Sequence, residues 1–189
     1  MAQVKVALFM IDGFEETEAI CTVDILRRAD IDVTTVSLGK SKRLVGRSRV
    51  CVETDALFDD ISESKYDMLI IPGGTIAYTE HEKLLDLVRR QDEQGLKLAA
   101  ICAAPAVFGK SGILRNRRAL IYPGMEHWLE GAIPGSGIVE TDGNITTSKG
   151  PGTTVYFALR LVEQLLGKST TDKVAEEFLA QKLIANDVK

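Results

Sequence analysis

The sequence predicts an α/β protein with an open, mainly parallel sheet that is covered by helices on both faces. Short apolar runs alternate with segments of helical periodicity, and clusters of turn residues separate them. Several of the runs are apolar throughout, as strands buried on both faces tend to be. At 189 residues the chain is long enough for one ordinary domain, and we expect residues 1–189 to form a single domain.

The first half of the chain alternates strands and helices. We predict, in order, a strand at 4–11, a helix from Glu15 to about Ala29, a strand at 31–38, short extended pieces at 44–45 and 50–54, a strand at 67–71 and a helix at 81–94. Asp12 and Glu15 are spaced as a capping box at the start of the first helix.

The second half continues the alternation. We predict, in order, a strand at 96–101, a helix at 103–110, a strand at 119–122, a hairpin of 138–141 with 145–147, a helix at 153–166 and a last helix from about Thr171 to Leu183. Sites in open parallel sheets lie beyond the carboxyl ends of the strands. We expect Asp12, Gly13, Gly73, Gly74 and Cys102 to lie at that edge.

Composition argues against several classes of function. With 45% hydrophobic and 26% charged residues the chain is typical of a folded soluble protein, and no apolar run approaches the ~20 residues that span a bilayer. The net charge is −4, and the one basic cluster, at 40–49, predicts a solvated turn rather than a nucleic-acid surface. The start lacks a signal-peptide pattern and the three cysteines are odd in number, so we expect a reducing, cytoplasmic location.

Cys102 is the first candidate for chemistry. It falls where a predicted buried strand becomes a helix, among the small residues of the segment 99–105 (AAICAAP). The amides and the dipole at a helix N-terminus favour a thiolate, so we expect a lowered Cys102 pKa. A strand-to-helix elbow also presents the nucleophile of α/β hydrolases. The alternative is a buried structural cysteine, which is our interpretation of Cys21 and Cys51.

Backbone N–H groups are the second candidate. Gly73 and Gly74 end a buried strand, where the backbone can approach another group closely. Together with the Ala103 N–H they would form an oxyanion hole beside Cys102. The alternative is an ordinary turn at the end of a strand. The phosphate-loop patterns G-x-x-x-x-G-K-[ST] and G-x-G-x-x-G are absent from the sequence.

Carboxylates and histidines complete the candidates. Glu15 and Glu18 both lie in the first turns of the first helix, and helical periodicity does not decide which of them meets Cys102. His81 and His127 are too far apart in sequence, and too far from any cysteine, for metal-ligand spacing. We expect surface roles for both, and His127 would reach the cleft only if its loop folds back.

Four motifs, read together, resemble the DJ-1/ThiJ branch of the DJ-1/PfpI superfamily. They stand at 12–18 (DGFEETE), 72–74 (PGG), 99–105 (AAICAAP) and 147–153 (TSKGPGT), and the resemblance covers nearly the whole chain. It implies a flavodoxin-like three-layer sandwich and a homodimer. It also implies Cys102 as nucleophile, Glu18 as the acid that hydrogen-bonds it, and Gly74 and Ala103 as the donors to the anion.

Two positions depart from the pattern of related branches. The protease-like branch has a histidine directly after the cysteine, where this chain has Ala103, so we expect no peptidase activity. Animal members carry a histidine in a strand similar to 119–123, where Tyr122 stands here. Because a phenol with a pKa of about 10 is a poor base at neutral pH, catalysis would depend on Glu18.

The resemblance leaves three functions to compare. The first is conversion of small 2-oxoaldehydes such as methylglyoxal and glyoxal, or reversal of their early adducts on thiols and amines, with no metal or other cofactor. The second is an oxidative-stress sensor or redox chaperone, in which Cys102 is oxidised to a sulfinate beside protonated Glu18 and signalling or holdase activity is the output. The third, a class I amidotransferase, is disfavoured because no His-x-Glu pair follows Cys102.

Overall fold

The computed structural model describes residues 3–61 and 65–180. Its strands are, in chain order, β1 (Lys5–Met10), β2 (Asp32–Ser37), β3 (Arg43–Val45), β4 (Cys51–Glu53), β5 (Ala56–Leu57), β6 (Met68–Ile71), β7 (Lys97–Ile101), β8 (Arg118–Ala119), β9 (Ile133–Pro134), β10 (Val139–Asp142) and β11 (Ile145–Ser148). Its α-helices are α1 (Glu16–Arg28), α2 (Glu82–Glu93), α3 (Pro105–Lys110), α4 (Thr154–Leu166) and α5 (Lys168–Glu177).

The main sheet has seven strands in the order β10-β11-β7-β6-β1-β2-β5. Each neighbouring pair is parallel except the β10–β11 hairpin at one edge. Two small sheets stand apart, an antiparallel pair of β3 and β4 and a parallel pair of β8 and β9. The antiparallel pair with its connecting turn includes most of the basic cluster at 40–49, whose charged side chains are exposed, as the sequence predicts for a solvated turn.

Helices cover both faces of the sheet, which confirms the predicted three-layer α/β fold. Alternate residues of a strand point to opposite faces, so β1 sends Val6 and Leu8 into one core and Ala7 and Phe9 into the other. The first core is closed by α1, α4 and α5, and the second by α2 and α3. This double burial explains why β6 is apolar throughout and why β1 and β7 are apolar after the lysine that begins each of them.

Some predicted elements need correction. The strand predicted at 119–122 is limited to β8 and lies outside the main sheet. The next residues leave the ladder because the Leu120 N–H donates to Thr147 Oγ1 at 2.8 Å and the Tyr122 N–H donates to the Cys102 carbonyl at 2.8 Å. The last helix begins at Lys168, before the predicted start, and Leu183 lies outside the described residues.

The predicted capping box is also wrong. Glu15 is itself the N-cap of α1, and its side chain accepts the Glu18 N–H at 2.7 Å. Asp12 instead accepts the Val45 N–H at 2.8 Å, so it holds the β3–β4 hairpin. Among the described residues, no helix is both long enough and apolar enough to cross a membrane.

Candidate active site

Cys102 occupies a strained backbone position directly after β7. Its φ is +63°, a left-handed conformation that side chains with a Cβ seldom adopt. The neighbouring chain holds it there, since its N–H donates to the Ser148 carbonyl at 3.0 Å and its carbonyl accepts the Tyr122 N–H at 2.8 Å. Such strain persists only where the surroundings impose it, and it often marks a functional site. The predicted elbow is therefore present.

Glu18 is the carboxyl that meets Cys102. It is fully buried, and its Oε2 accepts the Gly73 N–H at 2.7 Å. The carboxyl also interacts with the Cys102 thiol by charge and by a side-chain hydrogen bond. Within the described part of the chain, Oε1 is buried without a hydrogen-bond partner. This decides between the two candidates, because Glu15 is occupied as the cap of α1.

The glycine pair allows these groups to approach one another. A Cβ on Gly73 would lie 2.6 Å from the Cys102 Cβ and 2.9 Å from both the Ala103 N and Glu18 Oε2. Gly74 has a φ of +98°, and a Cβ there would overlap the backbone at Gly13 and Glu15. Both positions therefore require glycine.

Two backbone amides are directed at the sulfur. The N–H groups of Gly74 and Ala103 lower the pKa of Cys102, as is expected of an anion site at the elbow. The inclusion of Gly73 in that anion site needs correction, because its N–H donates to Glu18 instead. Gly73 thus fixes the carboxyl, while Gly74 and Ala103 favour negative charge on the sulfur.

Burial dominates the electrostatics of the pair. It raises the pKa of Glu18 from 4.5 to about 7, against the hydrogen bonds from Gly73 and Cys102. Burial and the neighbouring Glu18 charge raise the pKa of Cys102 from 9.0 to about 12. The prediction of a lowered Cys102 pKa is therefore wrong while Glu18 is ionised. The six-residue α3 begins only at Pro105, so its dipole cannot outweigh a carboxylate in contact with the sulfur.

The two acids consequently behave as one titrating unit. The pair loses its first proton near pH 7 and resists loss of the second, so it is half ionised near pH 7 and carries one negative charge above it. In the singly charged pair, transfer of the remaining proton from the sulfur to Glu18 would leave a thiolate beside two amides and a carboxylic acid. A carboxyl with a pKa near 7 is well suited to exchange protons at neutral pH.

The raised Glu18 pKa predicts a pH-dependent stability. The folded protein holds this proton more tightly than the unfolded chain does, so the stabilisation is complete below about pH 4.5 and is lost as the pH rises through about 7. Across that window we expect the unfolding free energy of the wild type to fall by roughly 3 kcal/mol relative to Glu18→Gln, which has no proton to lose. Urea unfolding of both proteins at a series of pH values measures this difference, and parallel profiles would contradict it.

The remaining candidates lie at the margin of the site. Tyr122 binds the elbow through its backbone, and its side chain is about half exposed. His127 is exposed, with its ring against Trp128, and no contact recorded among the described residues joins it to Cys102. His81 caps α2, where its Nδ1 accepts the Leu84 N–H at 3.1 Å.

The other two cysteines differ from each other. Cys21 is half-buried against the core, and burial raises its pKa. Both observations agree with the prediction of a structural cysteine. Cys51 is exposed on β4, so the prediction of a buried structural role is wrong for it. Residues 3–61 and 65–180 contain no group of three or more histidine, cysteine or acidic side chains placed to hold a metal ion.

Ser148 and Arg47 belong to the site but carry no chemical signal in the sequence. The Ser148 carbonyl accepts the Cys102 N–H. In the sequence, Ser148 is linked to the site only by its position in the motif at 147–153. Arg47 lowers the Glu18 pKa by its charge. It comes from the β3–β4 hairpin, whose docking on the site does not follow from periodicity.

The fold and site together define a class: α/β proteins with a mainly parallel sheet, helices on both faces, and a cysteine beside a buried carboxyl at the elbow after a central strand. The sequence model of the DJ-1/PfpI family matches residues 4–164, and the chain belongs to this family.

Individual relatives agree with that assignment. The chain is 37% identical to DJ-1 homolog B of Arabidopsis thaliana over 83% of its own length, but it spans only 37% of that longer protein. It is 31% identical to the glutathione-independent glyoxalase DJR-1.2 of Caenorhabditis elegans, covering 96% of this chain and 100% of the relative. The crystal structure of Drosophila melanogaster DJ-1beta superimposes with a TM-score of 0.89 at 34% identity, covering 94% of this chain and 98% of the other.

Proposed function

We propose that this protein converts small 2-oxoaldehydes such as methylglyoxal into 2-hydroxy acids without a cofactor, or releases them from early adducts on thiols and amines. The observation that carries the proposal is the buried contact of Cys102 with Glu18, with the Gly74 and Ala103 amides on the sulfur. The resemblance to a relative named as a glutathione-independent glyoxalase supports the same reaction class.

The pair supplies every proton transfer that the conversion of methylglyoxal needs. Glu18 accepts the thiol proton while the sulfur attacks the aldehyde carbon, and the carbonyl oxygen then takes that proton to give a hemithioacetal. Amides of Gly74 and Ala103 stabilise the oxyanion during the attack. Glu18 next removes the proton from the former aldehyde carbon and returns it to the adjacent carbon, while the hydroxyl proton of the hemithioacetal passes to the neighbouring ketone oxygen, which leaves a lactoyl thioester.

Water completes the cycle. It attacks the thioester carbonyl, the C–S bond breaks, and lactate leaves while the sulfur recovers its proton through Glu18. The sum is methylglyoxal plus water to lactate and a proton, with no net oxidation. None of these steps requires a base at position 122. The reaction therefore does not depend on the histidine that related proteins carry where this chain has Tyr122.

The test is lactate formation from methylglyoxal, with glutathione removed and a chelator present. We expect the wild type to form lactate and Cys102→Ala to form none, because the thiol is the atom that bonds the substrate. Cys21→Ala and Cys51→Ala are matched controls that should retain activity. A Cys102→Ala variant that still forms lactate would refute the proposal.

A redox sensor is the alternative use of the same thiol. It would give no lactate in this assay, and mild peroxide would instead convert Cys102 selectively to a sulfinate detected by mass spectrometry. Such an outcome would replace the enzyme proposal.

The proposal extends to a homodimer, which the resemblance implies, and to a cytoplasmic location, which the three unpaired cysteines favour. Light scattering on the purified chain, whose mass is 20.6 kDa, tests the dimer. Cell fractionation tests the location.

A further inference from the structure

The tip of the β3–β4 hairpin encloses the Glu16 carboxylate. Glu16 Oε1 accepts the Ser48 N–H at 2.7 Å and the Val50 N–H at 3.3 Å. Gly46 permits this approach, because a Cβ there would overlap the Glu16 side chain. Burial alone would raise the Glu16 pKa, but these amides and its own N–H outweigh burial and hold the pKa below its ordinary value. Glu16 is therefore an anion bound by the hairpin.

The same hairpin pairs with the loop that leads into α1. The Gly13 N–H donates to the Val45 carbonyl at 2.8 Å, and the Arg47 N–H donates to the Phe14 carbonyl at 2.8 Å. On the opposite side of this loop, the Glu15 N–H donates to the Gly73 carbonyl at 2.9 Å. A continuous set of backbone contacts thus runs from the hairpin to the glycine that holds Glu18.

We propose that Glu16 is a positioning residue of this site: by binding the Ser48 and Val50 amides it keeps the hairpin closed on α1 and keeps Arg47 beside Glu18. The inference rests on the proposed role of the Cys102–Glu18 pair. Arg47 is held through its backbone N–H, and the Arg47 side chain is exposed. Its effect on Glu18 is therefore an effect of charge.

Several charged or titratable groups face Glu18, and they define the controls. Glu15 comes from the same helix end, Arg47 from the hairpin and Cys102 from the end of β7. The buried Tyr78 lies on the side of the short 3-10 helix at Ala77–Glu80. Of these groups Arg47 is the only cation, so its displacement would make the anionic pair harder to form.

The direction of the effect separates positioning from direct charge. Removing the negative charge of Glu16 would, by Coulomb's law alone, ease ionisation of the pair and move its midpoint to lower pH. Displacement of Arg47 has the opposite sign and moves the midpoint to higher pH. The direction in which the midpoint moves on substitution of Glu16 therefore shows whether loss of its charge or displacement of Arg47 is the larger effect.

The experiment follows alkylation of Cys102 by iodoacetamide as a function of pH, peptide by peptide in a mass spectrometer. This readout needs no turnover, so it stands even if the proposed enzymatic function fails. Arg47→Gln should raise the midpoint by about half a pH unit, a modest shift because Arg47 is exposed. Arg49→Gln removes an exposed cation from the same hairpin tip and should leave the midpoint unchanged.

The Glu16 variants then form a double-mutant cycle with Arg47. Glu16→Ala should raise the midpoint as much as Arg47→Gln does, and the double variant should show no further rise. Glu16→Gln keeps an acceptor oxygen and should stay near the wild type. If Glu16→Ala does not fold, Glu16→Asp carries the same test, because it keeps the charge but falls short of the tip amides. A downward shift in Glu16→Ala, or an equal shift with and without Arg47, would overturn the proposal.

Discussion

Glu18→Gln is expected to slow lactate formation by roughly two to four orders of magnitude, the usual contribution of a general acid–base group. Glutamine keeps the shape of the side chain and can still accept the Gly73 N–H, so the elbow should persist. It cannot carry a proton between the two substrate carbons, however, and the hemithioacetal should stall. The measurement is the steady-state rate of lactate formation, with alkylation of Cys102 as evidence that the nucleophile survives.

Glu15→Gln is the matched control for this prediction. Glu15 lies in the same helix end and caps α1, but the structure gives it no contact with the sulfur. We expect its substitution to cost at most about 1 kcal/mol of stability and to leave turnover within a few-fold of the wild type. If the two variants lose activity equally, Glu18 has no special role as the proton carrier.

Gly73→Ala is expected to have the second large effect, on the site rather than on the fold. Its methyl group would enter the space between the Cys102 Cβ, the Ala103 N and Glu18 Oε2, all within 2.9 Å of the new carbon. The thiol and the carboxyl would have to separate, so turnover should fall by at least about 100-fold, as expected when reacting groups are displaced by about 1 Å. The accompanying loss of stability should be about 1–3 kcal/mol.

Gly152→Ala controls for the loss of a glycine. No atom lies within contact distance of a Cβ at Gly152, so stability and turnover should both stay near wild-type values. Thermal unfolding and lactate formation, measured on both variants, separate a damaged site from a damaged fold. An active Gly73→Ala variant would mean that the sulfur and the carboxyl need not touch.

The sheet and the elbow can be predicted from sequence because each has a local cause. Strands such as β6 are apolar throughout because both faces are buried, and small residues around Cys102 indicate a crowded strand-to-helix turn. The choice of Glu18 over Glu15 has no such local cause. It depends on which carboxyl the Gly73 amide reaches, and that is a contact between segments 55 residues apart.

The electrostatics of the site are the part that sequence reasoning gets wrong. A cysteine near a helix N-terminus predicts a lowered pKa, but burial and the contact with Glu18 reverse the direction. Docking of the β3–β4 hairpin is likewise hidden, because it depends on backbone amides that meet Asp12 and Glu16 in space. Long-range contacts of this kind leave no periodic pattern in the sequence.

The most direct test of whether Cys102 and Glu18 share one negative charge is the pH dependence of Cys102 alkylation in the wild type and in Glu18→Leu. We predict a wild-type rate that reaches half its maximum near pH 7, where the pair loses its first proton. In Glu18→Leu, which can neither accept the thiol proton nor donate to a thiolate, the midpoint should rise by at least about one pH unit. A wild-type rate that follows the ordinary thiol pKa of 9.0 and is unchanged in Glu18→Leu would contradict the account.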